Sequence, residues 1–108
     1  MATFVALELS YDLIGAVRAP LARISAVDAA LADQLRRAAQ SVALNLAEGS
    51  GRAGRDRSRF FRTADGSHRE ARACLQVALR LGYLAPADVA PAEGIAQRLG
   101  GMLFRLAR

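Results

Sequence analysis

The sequence predicts an all-α protein, an up-down antiparallel four-helix bundle. Three observations point there. Ala, Leu and Arg dominate the chain, and all three favour helix, while the β-branched and aromatic runs that mark strands are scarce. Residues Phe60, Ala64, Ser67, Ala71, Cys74, Ala78 and Leu81 step by 4, 3, 4, 3, 4 and 3, the repeat of a packed bundle seam. Gly49 to Gly51 and Gly82 with Pro86 cut the pattern into segments of helical length. With 108 residues, 53% of them hydrophobic, residues 1–108 form one domain around one modest core.

The first helix is expected from about Phe4 to Ile24, where Leu7, Leu13, Ile14, Val17 and Leu21 recur at roughly helical spacing. Pro20 should kink or interrupt it late. Asp28 has the chemistry of an N-cap for the second helix, whose inner face carries Leu31, Leu35, Ala38, Val42 and Ala39 or Leu46. Gly49, Ser50 and Gly51 should end that helix through a left-handed C-cap. The third helix is the most regular and the longest, at about 26 residues or roughly 39 Å. Beside its small-residue seam runs a second row, Phe61, His68, Leu75 and Gly82, which widens the apolar arc beyond one seam. Gly82 and the Pro86/Pro91 region close it, and a fourth helix follows with Ile95, Leu99, Met102, Leu103 and Leu106 apolar.

Charge is distributed unevenly. All fifteen basic residues are Arg, against ten acids. Nine of the Arg lie between Gln34 and Arg72 with only Glu48, Asp56, Asp65 and Glu70 to balance them, which accounts for the whole net charge of +5. Such a concentration on one connector and its flanks fits an anionic partner. Arg52, Arg55, Arg57 and Arg59 flank Gly51 and Gly54, and Arg57 and Arg59 fall in the expected first turn of the third helix. There the macrodipole disfavours cations and folding gains nothing from them. An anion would meet both a helix N-terminus and guanidinium forks. Arg62, Arg69, Arg72 and Arg80 either extend this patch along the helix or form its ordinary charged outer face.

Other chemistry is thin. Asn45, Ser67 and Glu70 lie on or near core faces and are expected to form an inter-helix hydrogen-bond network or caps. No nucleophile with a partnered base is apparent, so no catalytic residue is assigned. His68 and Cys74 are single and lack companions at ligand spacing, so neither metal nor cofactor is expected. The GSGRAG run of residues 49–54 is like a phosphate loop only superficially: no strand precedes it and no Gly-Lys-Ser/Thr follows. Leu44, on the outer face, hints at a subunit contact, as does the extra apolar row of the third helix. No apolar run approaches the roughly 18 residues of a membrane span. The start of the chain, with Glu8 and no basic n-region, does not read as a secretory signal. The single Cys74 excludes an intrachain disulfide, and a cytoplasmic protein with no membrane partner is expected.

Several local patterns belong together. They are the Gln-Leu-Arg-Arg-Ala start at Gln34 to Ala38, an Asn-aliphatic-Ala-Glu-Gly end at Asn45 to Gly49, Gly51–Arg52, a Gly-Ser-x-x-Glu centre at Gly66 to Glu70, and a Leu-Gly-Tyr close at Leu81 to Tyr83. Over about half its length the chain thus resembles the four-helix-bundle proteins encoded within intervening sequences of bacterial 23S ribosomal RNA genes. It departs from them at Ile24–Ser25, where an aromatic–Pro pair is usual, and in having no Lys. That family is similar in turn to the accessory variability determinant of diversity-generating retroelements, a pentameric barrel that binds nucleic acid and associates with a reverse transcriptase. The resemblance implies a homo-oligomer, five-membered by analogy, without a catalytic site. It marks Asn45, Glu48, Gly49, Ser67 and Glu70 as motif residues.

Two functions from different classes follow. In the first, an oligomer binds RNA or DNA through Arg52, Arg55, Arg57 and Arg59, with Arg36, Arg37, Arg62 and Arg69 in support. Such binding would be largely indifferent to sequence, because Phe60 and Phe61 are assigned to the core and no other aromatic lies near the loop in sequence. In the second, a structural or adaptor oligomer binds an acidic protein partner without nucleic acid.

Overall fold

The computed structural model describes all of residues 1–108 and contains helices and turns only. The four helices are α1 (Ala2–Ser25), α2 (Ala29–Ser50), α3 (Gly54–Arg80) and α4 (Pro86–Leu106). Each packs on two neighbours, α1 on α2, α2 on α3, α3 on α4 and α4 back on α1, giving an up-down bundle of 43 × 23 × 18 Å. At 27 residues α3 is the longest. Pro20 neither starts nor stops a helix: α1 runs through it to Ser25, with the ring buried.

The turns have identifiable causes. Asp28 caps α2, its Oδ1 accepting from the Leu31 N–H at 3.0 Å. Pro86 occupies the first turn of α4, and Asp88 Oδ2 accepts the Ala85 N–H at 2.7 Å. Helix α3 closes through Gly82, whose φ of +81° is the left-handed conformation that glycine tolerates. The Tyr83 N–H reaches the Ala78 carbonyl and the Gly82 N–H the Leu79 carbonyl, the paired bonds of a Schellman closure.

The end of α2 differs from the expectation. Gly49 and Ser50 are helical, and Gly51 has φ −90° and ψ 3°, so no left-handed cap forms there. Gly49 is small for another reason. A Cβ built on it would lie 2.7 Å from Cε1 and 2.8 Å from Cδ1 of Phe61, and 3.1 Å from Cβ of Phe60. The bare backbone lets the buried Phe61 ring lie against α2.

The seam of α3 is also displaced from its expected register. The buried positions are Phe61, Ala64, His68, Ala71, Leu75 and Ala78, with Cys74 at the edge. They step by 3, 4, 3, 4 and 3 and take alternate members from the two rows read in the sequence. Phe60 and Ser67 are only half-buried, and Leu81 is exposed. The cause is that α3 is flanked by α2 on one side and α4 on the other, so the line toward the core falls between the rows. The wide apolar arc is consumed inside the monomer and leaves no second row for a subunit contact. Leu44, Val77 and Leu81 remain exposed.

Candidate nucleic-acid interface

In an up-down bundle the connector between α2 and α3 shares one end with the start of α1 and the end of α4. That connector is only Gly51, Arg52 and Ala53. The expected arginine loop is therefore mostly helix. With α3 beginning at Gly54, Arg55 and Arg57 fall in its first turn and Arg59 in the second, a shift from the expected pair Arg57 and Arg59. Gly54 takes φ +61°, and Ala53 before it offers no capping side chain. Of the three internal helix starts, those of α2 and α4 have a carboxylate bonded to a backbone N–H; α3 has Asp56 in its first turn, but its oxygens accept from Arg52 and Arg59 instead.

The arginines divide by partner. Arg52 bridges two acids, its Nη2 2.6 Å from Glu48 Oε1 and its Nη1 3.0 Å from Asp56 Oδ2. Arg59 Nη2 donates to Asp56 Oδ1 at 2.8 Å. Both guanidinium groups stack on the Phe60 ring, at 5.3 and 4.5 Å from its centroid. The Arg59 hydrogen bond, with Arg52 adding to it, holds the Asp56 carboxyl below the usual range, and Glu48 first and Asp56 second raise Arg52 further. Arg57 has no carboxylate; it donates to Thr3 Oγ1 of α1 at 3.1 Å and lies 5.1 Å from the Phe61 centroid. Arg55 and Arg62 are exposed and touch neither an acid nor a ring.

The remaining sequence-assigned arginines stand apart. Arg36 and Arg37 both pair with Asp33, at 2.5 and 3.6 Å, and Arg36 lowers the Asp33 pKa. Asp33 lies one residue before Gln34 and neutralises part of the excess charge of the Gln34–Arg72 stretch from outside it. From Arg37 to Arg52 is roughly 23 Å along α2 at 1.5 Å per residue, so these two do not join the end patch. Arg69 makes a 3.4 Å contact with Asp65, and Arg72 is bound to Glu93 of α4. Along α3, Arg55, Arg59, Arg62, Gly66, Arg69, Ala73, Gln76 and Arg80 form one exposed stripe at spacings of 3 and 4. No acid falls on it.

The motif residues take different places. Ser41 Oγ and Ser67 Oγ are 2.7 Å apart, and Asn45 Nδ2 donates to the Ser41 carbonyl at 2.8 Å and to its hydroxyl at 3.0 Å. This is the expected inter-helix network, with Ser41 as its centre. Glu70 is outside it, exposed on a polar groove of about 420 Å³ lined by Gln34, Arg37, Ala38, Ser41 and Ser67. Glu48 holds Arg52, and Gly49 admits Phe61.

Neither reactive side chain is poised for chemistry. His68 is buried, its Nε2 2.7 Å from the Ala96 carbonyl, which fixes the Nε2–H tautomer because a carbonyl only accepts. Burial, ahead of the opposing hydrogen bond, pushes its pKa below 6.5. Burial, then the charge of Glu70, pushes the Cys74 thiol up, away from the reactive thiolate. No three His, Cys, Asp or Glu side chains gather to hold a metal ion, and no helix is long and apolar enough to cross a membrane.

Sequence reasoning passed over Arg105, Arg108 and Phe104. Phe104 and Arg105 belong to the last turn of α4 and Arg108 follows it; they lie about fifty residues from the connector, but antiparallel packing brings them to its end of the bundle. Phe104 lines a depression with Asp65 and Arg69 of α3, and the Arg108 guanidinium lies 3.7 Å from its ring centroid. The four-helix topology itself was the signal that would have found them.

No curated protein matches the sequence. A crystal structure from Bacteroides thetaiotaomicron VPI-5482, of a protein of unknown function from the S23 ribosomal protein family, shares the fold. The superposition covers 99% of this chain and 98% of that one, with a TM-score of 0.82 at 18% identity. The sequence model of the 23S rRNA-intervening sequence protein family matches residues 7–105, nearly the whole bundle, and the chain belongs to that family.

Proposed function

We propose that this protein is a non-enzymatic, self-associating helical bundle that binds nucleic-acid phosphates through the α3 arginine stripe and the end of the bundle where it begins. The observation that carries the reading is that Arg55 and Arg62 are exposed without an acid, on a stripe free of acids. Arg55 and Arg57 also load a helix start that has no cap, where cations oppose the macrodipole. Arg57 is tied into the fold through Thr3 and the Phe61 ring, but folding has no use for Arg55 there, and a phosphate does. Arg52 and Arg59, held by Asp56 against Phe60, are set in place beside it. Arg36, Arg37 and Arg69 contribute at longer range, since exposed pairs with Asp33 and Asp65 exchange readily for a phosphate.

Self-association rests on the exposed Leu44, Val77 and Leu81 and on the likeness to ring-forming bundles. A ring of five would repeat each weak patch and raise avidity. Association with a reverse transcriptase applies if the gene sits in a retroelement, and a cytoplasmic location suits that setting. Light scattering at micromolar concentration tests assembly; a mass of 11.5 kDa, that of one chain, would rule it out.

The binding test is direct. Labelled RNA and DNA are titrated at about 50–100 mM salt, a range in which electrostatic binding remains strong. The parent is expected to bind both. Neutralising Arg52, Arg55, Arg57 and Arg59 together should leave the helical content intact and sharply weaken binding. A parent that binds neither, or a variant that binds as well, favours the second reading: an adaptor for an acidic protein. The polar groove between α2 and α3, with Arg37 and Glu70 on its rim, is the observation on that side.

A further inference from the structure

Phe104 is a large ring left 47% exposed on α4, although Leu99 and Leu103 of the same helix are fully buried. It lines a depression of about 230 Å³ between α3 and α4, together with Asp65, His68, Arg69, Arg72 and Gly100. His68 floors the depression. A Cβ on Gly100 would come within 2.9 Å of the His68 Cε1, so glycine is what allows the imidazole to lie so close to α4. The rim carries Arg69 and Arg72 against Asp65, with Arg108 beside it. Arg108 already stacks on the Phe104 ring, 3.7 Å from its centroid. Arg69 is tied to Asp65 only by an exposed 3.4 Å contact, which leaves its guanidinium free to turn to a stronger acceptor. Arg62 stands two turns along the same stripe, roughly 10 Å away.

An aromatic face flanked by arginines is how proteins hold single-stranded nucleic acid: the ring stacks on a base, and the cations follow the backbone on either side. A continuous duplex offers no such base, because its bases are already stacked and paired. From this juxtaposition we infer that the α3/α4 depression at Phe104 takes one unpaired nucleobase, the Arg108 guanidinium leaving the ring for an adjoining phosphate beside Arg62 and Arg69. The protein therefore prefers single-stranded or looped nucleic acid to an uninterrupted duplex. The inference rests on the phosphate-binding reading above and adds to it the form of nucleic acid. Stacking is tolerant of base identity, so the site adds strand preference without sequence preference.

The test uses one RNA sequence in two forms, a single strand carrying 2-aminopurine and the blunt duplex with its complement. It compares the parent with Phe104→Leu and Phe104→Tyr, all checked for equal helical content. The parent should bind the single strand more tightly and change the 2-aminopurine emission. Phe104→Leu should lose roughly 5- to 100-fold on the single strand and keep its duplex affinity and salt slope. Phe104→Tyr should restore both affinity and emission change. Equal affinity of the parent for the two forms overturns the inference, as does a Phe104→Leu variant that binds the single strand like the parent. In either case a parent that still binds both forms leaves the arginine stripe standing as a phosphate interface. A parent that binds neither form removes the phosphate interface and the base site together.

Discussion

The two ends of the bundle are built on opposite plans. At the end holding the α1–α2 and α3–α4 turns, polar groups are spent on each other. Asp28 caps α2 with one carboxylate oxygen and with the other accepts from the Tyr83 hydroxyl at 3.2 Å, tying the two turns together. Asp88 caps Ala85 and faces Arg23 at 3.8 Å. Gly82 supplies the one left-handed residue that the α3 closure needs. At the opposite end α3 starts without a cap, and Arg55 and Arg62 have no partner. Arg57 reaches only a hydroxyl and a ring. One end is organised for the fold, while the other carries, in Arg55 and Arg62, charge that the fold does not use.

The largest expected effect sharpens this contrast, because the arginine end does have one structural anchor. Gly49→Ala would drive a methyl into the buried Phe61 ring and should cost about 1–3 kcal/mol by overpacking. Thermal melting checks it, and an unchanged Tm would mean that the Phe61 contact is not tight. Next, Asp28→Ala removes both the cap and the Tyr83 link at the tied end. A loss of about 1–2 kcal/mol is expected in a denaturant melt. A neutral result would break the comparison from the structural side.

A smaller effect comes from His68. Its folded pKa lies below the 6.5 of the free side chain because burial disfavours the imidazolium. The unfolded chain therefore binds more protons in the window below 6.5, so stability is fully present above that pH and declines as pH falls toward the folded pKa. Parent Tm should be lower at about pH 5.5 than at about pH 7.5, and His68→Leu should narrow that gap. A gap of the same size in the variant assigns the acid sensitivity to other groups. The smallest effect belongs to the arginines themselves: Arg55→Gln and Arg62→Gln should each change stability by no more than about 0.5 kcal/mol. A larger loss would mean that these side chains serve the fold after all.

How much of this was legible in the sequence depended on how local the cause was. Asp28, Gly82 and Pro86 act on their immediate neighbours, so helix number, order and limits could be read to within a few residues. The seam of α3 could not be placed so closely. Its register depends on where α2 and α4 sit, and two adjacent rows both looked apolar. Gly49 was read as a cap because glycine after a helical run usually is one, whereas its cause is a ring twelve residues further on. The arginine site was visible as composition and misjudged as electrostatics. Asp33 neutralises part of it from one residue before Gln34, and Asp56 holds two of its arginines. Phe104, Arg105 and Arg108 enter only through the topology, which no local pattern announces.

The central claim is that the arginine end is in excess of what folding needs and meets phosphates. It is tested most directly by the salt dependence of RNA binding in the parent and in a protein carrying Arg55→Gln and Arg62→Gln. The account predicts nearly equal Tm for the two, weaker binding by the variant, and a plot of log affinity against log salt that is shallower by about one unit for each arginine removed. An unchanged slope with an unchanged Tm would contradict it, because these arginines would then serve neither the fold nor the partner.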